Sequence, residues 1–113
     1  MYLADNAGEV VFDRLLIEEL VEELGKQVNY VVRDKPVIND ALTEDALFFG
    51  INRTAKVISS GSDAPGTLLK YCSPEFIRLY QKAELIISKG QGNYEALSWK
   101  IDLYFFYLKQ NVR

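Results

Sequence analysis

The sequence predicts an α/β fold: a mostly parallel sheet covered by helices on both faces. Three observations predict it. Short apolar runs alternate with longer stretches whose apolar residues recur at helical spacing, the order in which parallel strands and crossover helices follow one another. The runs VNYVVR and LIIS are continuous rather than alternating, as strands buried on both sides are. The chemically unusual residues also cluster just after these runs, where open parallel sheets collect their ligands.

The elements follow in order. Tyr2, Leu3 and Ala4 form a short strand that runs into Asp5. From Glu9 to Leu24, Val10, Phe12, Leu16, Leu20, Val21 and Leu24 fall roughly at helical spacing, and Gly25 stands where a C-terminal cap glycine would. The β-branched run from Val28 to Arg33 is a second strand, with Pro36 in the loop after it. A second helix is expected from Asp40 to Phe49, closed by Gly50. The segment from Ala55 to Ser59 is a third strand ending in a Ser-Gly-Ser-Asp turn. Ser73 and Pro74 suit the N-cap and first turn of a helix through Ala83. A fourth strand is expected from Leu85 to Ser88, a short helix from Asn93 to Trp99, and a fifth strand from Ile101 to Leu108.

Composition narrows the chemistry. At 113 residues, 49% hydrophobic and 26% charged, the chain suits one domain spanning 1–113 and excludes wholesale disorder. A net charge of -3 is the wrong sign for a nucleic-acid binder. No apolar run approaches the ~20 residues of a membrane span. The single cysteine, Cys72, cannot pair internally, which points to a reducing, cytoplasmic setting. There is no histidine, so Ser-His, Cys-His and His-ligated zinc mechanisms are excluded. Any metal would be held by oxygen, which favours Mg²⁺ or Mn²⁺ over zinc.

The strand ends carry the candidates. The first strand leads into Asp5-Asn6-Ala7-Gly8-Glu9. A carboxylate beside an amide oxygen is ordinary hard-cation ligation. Gly8 would let the backbone come close to a ligand, and the next helix offers N–H groups to an anion. The competing reading is that Asp5 or Asn6 merely caps that helix, and Asp40 has the same alternative. The second strand leads into Arg33-Asp34-Lys35-Pro36 and on to Asn39-Asp40. The third leads into the turn from Ser60 to Gly66, either a plain loop or a nest for phosphate. The fourth leads into Lys89-Gly90-Gln91-Gly92-Asn93. A lysine right after a buried strand and beside glycines suits an anion. Neither GxxxxGK[ST] nor GxGxxG occurs. Cys72, without a histidine partner, is read as a packing residue.

In order, DNAGE, RDKPVIND, SGSDAPGT and KGQGNYE resemble the metal-dependent damage-control phosphatases, catalogued as domain of unknown function eighty-nine. The archaeal and bacterial branch is the more similar, and the resemblance runs from Tyr2 to about Lys109. It implies a three-layer α/β/α, Rossmann-like fold and a divalent metal (Mg, Mn, Co or Ni). It also implies hydrolysis of small phosphorylated metabolites. By the same resemblance Asp5, Asn6 and Asp40 hold the metal; in such a site Lys89 would neutralise charge on the transferring phosphoryl and Asp5 could attack phosphorus, which makes these two the catalytic candidates. Lys89, Asn93, Ser60 and Gly61 bind phosphate, with Gly8, Glu9 and Arg33 as neighbours.

The chain departs from the family pattern in three places. It begins at the first catalytic strand, without the family's N-terminal helical region. It stops at Arg113, before the family's last helix and strand. Leu42 stands where the second motif usually has a hydroxyl, with Thr43 one place later. A natural short form, a split-gene product and a cut form are all open, and an inactive truncated form is weighed beside the active enzyme. Apolar surface left uncovered on the first helix and on LYFFYL is expected to call for a second copy or a partner chain. The competing functions are an S-adenosylmethionine-dependent carboxyl methyltransferase and a non-catalytic metal-binding or assembly module.

Overall fold

A computed structural model describes residues 1–33, 40–62, 69–83 and 86–89, together with the backbone of 103–106. Its centre is a five-stranded parallel sheet in the order β3-β2-β1-β4-β5. The strands are β1 (Tyr2–Leu3), β2 (Asn29–Val32), β3 (Lys56–Ser59), β4 (Ile86–Lys89) and β5 (Leu103–Phe106). The helices are α1 (Val10–Glu18), α2 (Thr43–Phe48) and α3 (Pro74–Lys82).

The register explains the layering. Tyr2 lies opposite both Tyr30 and Ile87, and Leu3 lies opposite Val31 and Ser88. Because strand side chains alternate between faces, Tyr2, Tyr30 and Ile87 share one face. There they pack with Val10 and Ile17 of α1 and Ala46 of α2. Leu3, Val31, Ile58 and Ile86 share the other face with Phe76 and Tyr80 of α3. Two cores on opposite faces make the three-layer α/β arrangement that the sequence predicted.

Several boundaries have visible local causes. Ser73 caps α3 by accepting a 3.1 Å hydrogen bond from the Phe76 N–H, and Pro74 takes the first turn. A 3-10 turn (Ala7–Glu9) leads into α1, and α1 widens into a π turn (Glu19–Glu23). Gly25 beyond it has φ +67°, a left-handed conformation that suits glycine. The second helix corrects the expectation. It begins at Thr43, not Asp40, because Asp45 turns back to accept from the Leu42 N–H at 2.8 Å. Lys89 is likewise the last residue of β4 rather than the first after it. The expected helix from Asn93 to Trp99 lies outside the described residues.

This order places one junction of special interest. β1 and β4 are neighbours but not consecutive, so the connections leave the sheet in opposite directions at their shared edge. That switch point is where open α/β sheets hold ligands. Asp5 and Asn6 follow β1 there, and Lys89 ends β4 beside them.

Candidate functional site

The main chain gathers the second motif to the first. Asn6 and Asp40 form an antiparallel bridge, and the Ala41 N–H donates to the Asp5 carbonyl at 2.7 Å. The Arg33 N–H in turn donates to the Ala41 carbonyl at 3.1 Å. Asp40 therefore lies in a paired segment beside Asp5 and Asn6. The capping alternative for it fails, since α2 starts three residues later and is capped at Leu42. Asn6 does precede a 3-10 turn, but its side chain makes no cap bond. Its amide instead donates to Asp5 Oδ2 at 3.3 Å.

The charges at this edge are dense. Burial raises the Asp5 carboxyl above its ordinary range, and the like charges of Glu9 and Asp40 raise it further. The cations Lys89 and Arg33 pull it back. Arg33, almost fully buried, donates from Nε to Asp40 Oδ2 at 3.0 Å. Three carboxylates thus meet two cations, so a divalent cation would relieve the remaining repulsion. The donors Asp5, Asn6 and Asp40 fit that ion, being two carboxylates and an amide oxygen. Among the described residues no three His, Cys, Asp or Glu side chains gather as a metal site.

Lys89 comes to this edge by strand register. It is two residues beyond Ile87, so it shares the α1 face. Its ammonium donates to Glu9 Oε1 at 2.5 Å and to Asp13 Oδ1 at 2.9 Å. Burial lowers the ammonium's pKa, but the hydrogen bonds to Glu9 and Asp13 outweigh that and raise it overall. The lysine stays charged.

Asp13 is the residue that sequence reasoning missed. It is 1% exposed and also accepts from the Tyr2 hydroxyl at 2.7 Å and the Tyr30 hydroxyl at 2.6 Å. The signal was present: Asp13 sits three residues after Val10 and four before Ile17, on the buried stripe of α1. A carboxylate on a core stripe is rarely left unpaired.

The remaining candidates are placed as follows. Ser60 is fully buried, and its hydroxyl accepts from the Ser62 N–H at 3.2 Å. Gly61 has φ +79°, and a Cβ there would meet Ser73 Cβ at 2.8 Å and Ser73 N at 2.9 Å. Both therefore shape the turn that seats α3. Gly8 faces open space, where a Cβ would meet nothing within 4 Å. Asn93 lies outside the described residues. Cys72 is half-buried against the α3 core, as its packing role predicts. No helix of the described residues is long and apolar enough to cross a membrane.

Known proteins carry the same pattern. Residues 1–111 match the family described as the damage-control phosphatase ARMT1-like domain. An uncharacterized protein of Methanocaldococcus jannaschii is 47% identical over 96% of this chain and 36% of its own. A damage-control phosphatase of Pyrococcus horikoshii is 43% identical over 96% of this chain and 38% of its own. A damage-control phosphatase of Archaeoglobus fulgidus is 38% identical over 87% of this chain and 34% of its own. The crystal structure of a DUF89-family protein from Pyrococcus horikoshii superposes with a TM-score of 0.88 and 41% identity. It covers 94% of this chain and 38% of that one. The chain thus spans a little over a third of the length of the relatives it matches, and within that span it belongs to the damage-control phosphatase ARMT1-like domain family.

Proposed function

We propose that this chain carries the metal- and phosphate-binding edge of a phosphomonoester hydrolase acting on small phosphorylated metabolites. One observation carries the reading. The bridge from Asn6 to Asp40 brings two carboxylates and an amide to one switch point, with the Lys89 ammonium beside them. The named relatives, two of them damage-control phosphatases, support the same reaction class.

Each residue has a chemical task. Asp5, Asn6 and Asp40 would hold a divalent cation (Mg, Mn, Co or Ni), and Arg33 fixes the orientation of Asp40. When bound, such a cation withdraws electron density from the phosphoryl group and neutralises its charge. Lys89 adds a second positive charge toward the transferring phosphoryl. With no histidine in the chain, Asp5 is the reacting carboxylate, as nucleophile or as acceptor of the proton of attacking water. Glu9 lies against Lys89 and balances part of its charge when no phosphate is present. A reducing, cytoplasmic setting fits the single thiol, Cys72.

The test is phosphate release from a panel of sugar and nucleotide monophosphates with each of Mg²⁺, Mn²⁺, Co²⁺ and Ni²⁺. Metal-dependent release that disappears in Asp40→Asn is expected. No release with any metal, together with calorimetric binding of S-adenosylmethionine, would move the assignment to methyl transfer. Metal binding without release would leave a non-catalytic module.

A further inference from the structure

Asp13 is the buried charge that the proposed reaction does not use. It lies one turn after Glu9 and faces the sheet rather than solvent. Three donors converge on it: the Tyr2 and Lys89 donors on Oδ1 and the Tyr30 hydroxyl on Oδ2. Tyr2 and Tyr30 are register partners on adjacent strands, and their rings stack with centroids 5.5 Å apart. The two hydroxyls are therefore delivered together as a rigid pair. Burial, and then the Asp13 charge, push both phenols well above their ordinary range, so they remain donors.

Packing alone does not explain this arrangement. An aliphatic residue at 13 and phenylalanines at 2 and 30 would fill similar volume without desolvating a charge, and such replacements are often neutral or stabilising. The polar set is explained by what it holds. Lys89 side-chain exposure is 12%, between Asp13 at 1% and Glu9 at 30%. The ammonium is anchored from the core and met from the rim.

We propose that Asp13, itself held by Tyr2 and Tyr30, is the positioning residue for Lys89, fixing its ammonium at the β1–β4 switch point beside Asp5. A flexible four-carbon side chain is thereby delivered to one place before any phosphate arrives, which is how pre-placed charges act most strongly. The inference rests on the reading of Lys89 as the cation that meets phosphate.

The test joins a structural and a kinetic readout on the whole chain. In ¹⁵N-lysine-labelled protein, Lys89 should give a slowly exchanging ammonium signal, assigned by its loss in Lys89→Met. Asp13→Asn should abolish the signal. If that variant does not fold, Tyr30→Phe, which removes one donor that aligns Asp13, should broaden it. In turnover, Asp13→Asn should lower kcat by about 10-fold, the scale of losing a residue that orients a working group, with KM nearly unchanged. In a Lys89→Met background the same change should cost almost nothing further, because the two act as a unit. A persistent Lys89 signal in folded Asp13→Asn or Tyr30→Phe, or an equal loss of kcat in both backgrounds, overturns the inference. Loss of the signal, in a chain whose parent form releases no phosphate with any metal, supports Asp13 as the anchor and overturns the phosphatase reading instead.

Discussion

Replacing Lys89 by methionine keeps most of the length of the side chain and removes its ammonium, both the charge and the hydrogen bonds it donates. Two carboxylates then lose a partner, and they lose it unequally. Glu9 side-chain exposure is 30% and water can solvate it again, so its share is below about 1 kcal/mol. Asp13 is 1% exposed and, among the described residues, keeps the Tyr2 and Tyr30 hydroxyls alone. Breaking a buried pair by removing one partner costs about 3–5 kcal/mol. The two remaining donors put this case at the lower end, about 3 kcal/mol. The double variant Lys89→Met with Asp13→Asn removes the unpaired carboxylate from this cluster and should recover about 1–2 kcal/mol of that loss. Urea unfolding at pH 7 measures both, with the dependence on urea unchanged if the native fold is kept. A loss below about 1 kcal/mol in the single variant, or no recovery in the double, would show that Asp13 does not depend on Lys89.

Other consequences are independent of catalysis. Gly61→Ala must hold a left-handed backbone and drive a Cβ against Ser73. It should cost about 2–4 kcal/mol and lower Tm by about 10 °C or more, and a fall of under ~3 °C would refute the packing role. Burial, opposed in part by Arg33, pushes the Cys72 thiol up to about 11. Only the thiolate is alkylated, so iodoacetamide labelling of folded protein should keep rising tenfold per pH unit through pH 9. A plateau below pH 9 would contradict it. Phe12 and Leu15 of α1 are 68% and 61% exposed, and Phe48 of α2 is 82% exposed; large apolar side chains left in solvent mark an interface where they are contiguous. Light scattering should give a mass above the monomer, reduced in Phe12→Ser with Leu15→Ser. A clean monomer would count against any covering copy.

What could be read in the sequence was what local chemistry determines. Ser73 before Pro74, and the left-handed Gly25 and Gly50, marked helix ends because cap hydrogen bonds and positive φ have few residue solutions. The parallel sheet was legible because VNYVVR had to be buried on both faces. The start of α2 was not, because Asp40 and Asp45 both look like N-terminal residues. The bridge between Asn6 and Asp40, 34 residues apart, decides between them. The exposed apolar face of α1 agrees with the uncovered surface expected there. The side chains of the LYFFYL run lie outside the described residues. Lys89 was read as a partner for an anion, and its ammonium is held by two carboxylates of this chain, Glu9 and Asp13. Those pairings span 80 and 76 residues, separations no local pattern encodes. The tyrosines at 2 and 30 read as core, which they are. Only the three-dimensional register turned their hydroxyls toward one carboxylate.

The central claim is that Asp5, Asn6 and Asp40 form one divalent-cation site while Lys89 serves phosphate and not the metal. Titrating Mn²⁺ into the whole chain, followed by electron paramagnetic resonance, addresses it directly. The account predicts one tightly held Mn²⁺ per chain, lost in Asp5→Ala and in Asp40→Ala and retained in Lys89→Met. Binding that survives both aspartate substitutions, or that disappears with Lys89 alone, would contradict it.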